Sequence, residues 1–211
     1  MRKSTWTVLT VGGAIAASAL LAPHAAGAAG ADERSAPAAL TIEALTTGDP
    51  LAAAAEMPAN FDAEFGYRPV VRDGMLVNPG GSCSSPVPLP AEFDTACMAH
   101  DLGYDLLRYA DRAGTPVGAW ARQSLDRQLD ERLHAACAVR PEDVTRASCR
   151  AVATVAAGAV DANSWRQGYA APRREPIALW ATVAGAAVLG TPVALRLRSG
   201  RRVAAPRAVP A

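Results

Sequence analysis

Residues 92–137 hold two helix-period apolar stripes with only Ala113-Gly114-Thr115-Pro116 between them, and a chain patterned that way must fold back on itself. From near Glu92, the residues Phe93, Ala96, Cys97, His100, Tyr104 and Leu107 recur at the three-and-four spacing of one helix face. The connection supplies glycine as a stop, threonine as a cap and proline at a first helical position, so a second helix is expected from Pro116 to about Cys137. Its stripe is Ala121, Leu125, Leu129, Leu133 and Ala136. So short a connection makes the pair antiparallel. After a loop through Pro141, a third, alanine-rich helix is expected from about Thr145 to Ala162, with the right period but little bulk. The fold class is mainly α.

Two polar residues interrupt the stripes. His100, one of three histidines in 211 residues, lies four after Ala96 and four before Tyr104. Asp126, three before Leu129 and seven before Leu133, also points inward. A hairpin turning at residue 113, midway between them, brings both to the same level, where the carboxylate can fix the imidazole tautomer and strengthen it as a base. The plainer alternatives are a satisfied core histidine and an aspartate paired with Arg122 or Arg127 on its own helix. His24 and His134 carry no partner pattern.

Four cysteines, Cys83, Cys97, Cys137 and Cys149, allow three pairings. The two local ones, Cys83 to Cys97 and Cys137 to Cys149, are preferred because each closes a short loop beside a helix, and each could add about 3 kcal/mol by restricting the unfolded chain. Zinc is the competing use, but the close Cys-x-x-Cys pairs that structural zinc favours are missing. Asp101 lies about 100° round the helix from His100. It can therefore face the glycine-rich loop that a Cys83 to Cys97 bridge would hold nearby. A carboxylate beside loop carbonyls is a hard-oxygen environment, suited to calcium (Ca2+) rather than a soft metal.

The charge distribution speaks to location. All 20 acidic residues fall between Asp32 and Glu175, together with 14 arginines, while both ends carry only basic charge. This argues against a nucleic-acid surface and for basic ends near a membrane. Arg2 and Lys3 precede an uncharged run from Trp6 to Ala22, followed by small residues, which predicts a signal peptide over 1–31; an uncut membrane anchor is the alternative. Disulfides persist on the exported side. Ile177 to Leu195 is 19 residues without charge, long enough as a helix to span about 28 Å. A transmembrane helix is expected over 176–196, with Trp180 near one interface and a basic cytoplasmic tail over 197–211; a packed hydrophobic helix is the alternative. The expected arrangement is a monomeric ectodomain on the extracellular face of the plasma membrane.

Between these ends, residues 32–59 are rich in Ala, Thr and Pro and are expected to form a leader with a short helix around Leu51 to Glu56. Residues 60–92 carry four glycines and five prolines and are expected to be irregular, held by contacts rather than by a ladder. The helical domain is placed at 60–170.

The stretch CMAHDLGYDLL, with its upstream half-cystine, Asp126 and the later cysteine pair, resembles the active-site helix of the phospholipase A2 superfamily, most closely the small secreted actinobacterial branch. The similarity covers roughly Asn78 to Tyr169, and the carrying pattern is Cys-x-x-His-Asp-x-Gly-Tyr with an aspartate on the antiparallel helix. The resemblance implies that His100 is the general base that deprotonates water, Asp126 the residue that orients it, and Tyr104 a hydrogen-bonding wall of the pocket. It implies a calcium ion held by Asp101 and loop carbonyls near Ser82, and a phospholipid membrane surface as the partner. Two departures stand out. Gly81 occupies the position, two before the first cysteine, where that branch has a calcium-ligating aspartate, and Ala99 replaces the usual arginine before the histidine. If the missing ligand matters, Gly81→Asp is expected to raise calcium affinity, unless Asn78 or Asp73 takes its place. A catalytically silent lipid- or protein-binding module on the same scaffold is the rival function, and a structural cell-envelope protein a third.

Overall fold

The antiparallel helix pair is the centre of the molecule. The structure, a computed structural model, describes residues 34–173. Helices α1 (Pro37–Thr47), α2 (Pro50–Ala55) and α3 (Phe61–Phe65) come first, then a hairpin of β1 (Val70–Arg72) and β2 (Met75–Val77). A 3-10 turn at Ala91–Phe93 leads into α4 (Asp94–Arg112), followed by α5 (Ala119–Ala136), a 3-10 turn at Cys137–Val139, and α6 (Asp143–Arg166). The chain is therefore mainly helical and carries two disulfides, Cys83–Cys97 and Cys137–Cys149, the local pairing expected.

Helix α4 stops where the glycine predicts. Gly114 takes a left-handed conformation (φ 73°), its N–H donates to Asp111 O, and Thr115 N–H donates back to Ala110 O, satisfying carbonyls the helix leaves open. That last bond explains one difference from expectation. Thr115 is used to close α4, so α5 starts at Ala119 rather than Pro116. The residues between have no regular structure, and Val117 is buried in the core.

The expected leader is helical and packed. Ala38, Ala39, Ile42 and Leu45 of α1 are buried, and they join Phe61, Leu102, Leu106 and Leu125 in the main core. Thr41 is also buried, and its single hydroxyl proton is shared between Pro37 O at 2.8 Å and Glu56 O at 2.6 Å, which fastens α1 to the end of α2. The stop between them uses Thr47-Gly48-Asp49-Pro50. Asp49 caps α2 by accepting from the N–H groups of Leu51 and Ala52. The glycine-rich segment also has more order than expected. Val70 pairs with Val77, Val71 with Leu76 and Arg72 with Met75, an antiparallel ladder closed by Asp73-Gly74, a dipeptide that favours tight hairpins.

A second core holds the other end of the pair. Phe93, Ala96, Leu129, Leu133, Cys137, Cys149 and Ala153 pack together, so α6 lies against α5 through its few apolar positions. The expected signal peptide (1–31), the spanning helix (176–196) and the basic tail (197–211) lie outside the described residues. Among the described residues, no helix is long and apolar enough to cross a membrane.

Candidate functional site

The two interrupted stripes meet. His100 on α4 and Asp126 on α5 are both buried, and His100 Nε2 lies 2.8 Å from Asp126 Oδ1. What lets the helices come this close is Gly103: a Cβ there would sit 2.3 Å from Leu125 Cδ2 and 2.9 Å from Leu125 Cδ1. Leu125 is itself fully buried and has little room to turn away. The glycine of His-Asp-x-Gly-Tyr is thus a contact surface between the helices.

A carboxylate accepts, so the ring must donate through Nε2–H. The neutral tautomer that remains has its lone pair on Nδ1. Tyr104, one turn along α4, donates its hydroxyl to the same Asp126 Oδ1 at 2.8 Å, and its ring tilts against the imidazole with centroids 4.0 Å apart. Burial first, and then the Asp126 charge, raises the Tyr104 phenol above its ordinary value, so it stays protonated and keeps donating. Asp126 Oδ2 is buried without a hydrogen-bond partner among the described residues. The carboxylate is thus held through one oxygen.

Residues given no site role from the sequence complete the surroundings. Ser164, fully buried near the end of α6, lies 3.1 Å from the Tyr104 hydroxyl. Beyond α6, Gly168 and Tyr169 both take left-handed backbone conformations (φ 64° and 54°) and turn the chain back over the site. There Arg122 Nη1 donates to Gln167 Oε1 at 2.9 Å and to Ala170 O at 2.7 Å, and Arg122 Nε to the Tyr104 hydroxyl at 3.3 Å. Arg122 and Arg127, the alternative partners for Asp126, go elsewhere: Arg127 bonds Ser124 at 3.1 Å.

On the other side of α4, Asp101 faces the loop before the first disulfide, as its helical position requires. Its Oδ2 accepts from Ser82 N–H at 2.9 Å, and burial holds its pKa above the ordinary aspartate value despite that bond. Gly81 presses on the same carboxylate; a Cβ there would lie 2.8 Å from Asp101 Oδ2 and 3.1 Å from Met98 Cα. Both suggested stand-ins already take part in hydrogen bonds. Asn78 Oδ1 accepts from Gly80 N–H at 2.8 Å while its Nδ2 donates to Asp105, and Asp73 Oδ2 accepts from Thr95 at 2.7 Å. Calcium takes six to eight oxygens, carboxylates among them. Here a single carboxylate is met by an N–H donor, with no room beside it for another side chain, so these residues do not fit a tight calcium centre.

Asp105, one turn beyond Asp101, is a further buried carboxylate, one that carries no motif in the sequence. Tyr67 donates to it at 2.8 Å, Asn78 at 3.2 Å and Arg108 at 2.7 Å. This cluster ties the hairpin and the loop to α4. Burial, with Asp105 next, raises the Tyr67 phenol, which keeps that donor in place.

No family model, curated protein or solved structure matches this chain.

Proposed function

We propose that the protein is a phospholipase A2-like hydrolase that cleaves acyl esters of glycerophospholipids with a His-Asp dyad. The observation that carries this reading is the 2.8 Å bond from His100 Nε2 to Asp126 Oδ1 in a buried setting. It selects the tautomer whose Nδ1 can accept a proton. His100 Nδ1 takes a proton from water as the water oxygen attacks the ester carbonyl carbon. The proton then passes to the departing alkoxide, and the acyl–oxygen bond breaks to give a fatty acid and a lysophospholipid. Water is the nucleophile, so no covalent intermediate forms. Asp126 and Tyr104 hold the imidazole through this sequence and stabilise its charged form. No step is assigned to calcium.

A second reading is favoured by the loop. With Gly81 lacking a carboxylate and Ser82 N–H turned onto Asp101, the scaffold also suits a lipid- or protein-binding module with weak turnover. Fatty-acid release from micellar phospholipid by the full chain, compared with His100→Ala, decides between them. Hydrolysis that His100→Ala abolishes supports the enzyme; binding to phospholipid without release in either protein supports the module.

A further inference from the structure

The buried residues of α6 are Cys149, Ala153 and Ser164. The first two belong to the second core, with Leu129 and Leu133 of α5. Ser164 lies about three turns past Ala153 on the same face, and it is fully buried. In a helix rich in alanine, a buried hydroxyl costs free energy unless it is bonded. This one meets the Tyr104 hydroxyl at 3.1 Å. The backbone fixes where Ser164 stands, since its carbonyl accepts from Tyr169 N–H at 2.8 Å, at the left-handed turn that sends the chain back over the site.

Proton counting sets the direction of the bond between Ser164 and Tyr104. The phenol has one proton to give and three polar neighbours: Asp126 Oδ1 at 2.8 Å, Ser164 Oγ at 3.1 Å and Arg122 Nε at 3.3 Å. A carboxylate only accepts and a guanidinium only donates, so the phenol proton goes to Asp126 and Ser164 donates to the phenol oxygen. Two donors thus enter that oxygen, and one proton leaves it toward the carboxylate oxygen that meets His100 Nε2. Donors drawn into a hydroxyl oxygen make its own O–H a stronger donor. They also hold the oxygen in place from α6 as well as from α5.

We propose that Ser164 is a positioning residue for the His-Asp dyad: its hydroxyl reaches across from α6, donates to the Tyr104 oxygen and braces the phenol against Asp126. The catalytic consequence rests on the dyad reading above. A double-mutant cycle between Ser164→Ala and Tyr104→Phe in the full chain tests it, with fatty-acid release from micellar phospholipid as the readout. Ser164→Ala is expected to lower kcat by about three- to tenfold, the scale of one hydrogen bond, and to leave KM in place. In the Tyr104→Phe background the same change is expected to cost nothing further, because the oxygen that Ser164 braces is gone. An equal loss in both backgrounds overturns the inference, since the serine would then act by packing alone. So does a Ser164→Ala variant with the wild-type kcat, or one whose loss appears only in KM. A wild type that releases no fatty acid defeats the enzymatic reading, and the inference is then judged on the proton resonance of His100 Nε2–H, which reports the bond to Asp126. A shift on Ser164→Ala that is absent in the Tyr104→Phe background supports the brace. An unmoved resonance, or the same shift in both backgrounds, overturns it.

Discussion

His100 and Asp126, 26 residues apart in sequence, are joined by a 2.8 Å bond between Nε2 and Oδ1 inside the α4–α5 pair. The carboxylate is acceptor-only, so the bond decides which ring nitrogen keeps a lone pair. Asp126→Asn preserves the shape but can present its NH2 group to Nε2, which moves the ring proton to Nδ1. Fatty-acid release is expected to fall by about 10²–10⁴ in kcat, with little change in KM and an intact fold by near-UV circular dichroism. Steady-state kinetics on micellar phospholipid checks this.

Gly103 sets the separation of the two helices. Gly103→Ala places a methyl group where Leu125 lies, and is expected to cost about 1–3 kcal/mol by overpacking. Urea unfolding measures the loss. Activity is expected to fall with it, because spreading α4 from α5 lengthens the bond between His100 and Asp126.

Gly81→Asp reverses its sequence-based expectation. Restoring an acidic residue there looks like a gain of a calcium ligand, but its Cβ would meet the Asp101 carboxylate and the backbone at Met98. The new charge would also face a like charge. The variant is expected to unfold at lower temperature than the wild type and to bind calcium no more tightly by isothermal titration calorimetry. A clear gain in calcium affinity would show that the loop can rearrange to use the added oxygens.

Glu92 and Arg140 form a 2.5 Å ion pair that ties the start of α4 to the turn after α5. The Arg140 hydrogen bond holds the Glu92 carboxyl below its ordinary value. A carboxylate with a depressed folded pKa contributes stability that is present above its unfolded value and lost as the pH falls through the folded one. Glu92→Gln is therefore expected to be less stable than the wild type at neutral pH, with the gap closing below about pH 4. Thermal unfolding across that range checks the direction.

The helix pair was legible because both stripes are long and the stop between them is strong. Cys83–Cys97 and Cys137–Cys149 followed from loop length, and the level pairing of His100 with Asp126 followed from a turn at residue 113. Helix α1 was obscured by its alanines and threonines, since the burial of Ile42 and Leu45 depends on partners far along the chain. Its boundary signal, Thr47-Gly48-Asp49-Pro50, has the same logic as the stop after α4. The hairpin strands are only three residues each, too short for alternation to register, although Asp73-Gly74 marks their turn. Arg122, Ser164 and Gln167 were hidden for a different reason. Polar residues on a helix or just past its end are ordinarily solvated, and here the packing of α6 and the chain after it buries these three around the Tyr104 hydroxyl and the guanidinium.

The tautomer of His100 tests the central claim most directly. Nitrogen-15 NMR of the full chain, recorded on the neutral ring, reads which nitrogen holds the proton. The prediction is a protonated Nε2 with the lone pair on Nδ1. A ring protonated on Nδ1 would contradict it, because the nitrogen left to accept a proton would then be the one turned toward Asp126.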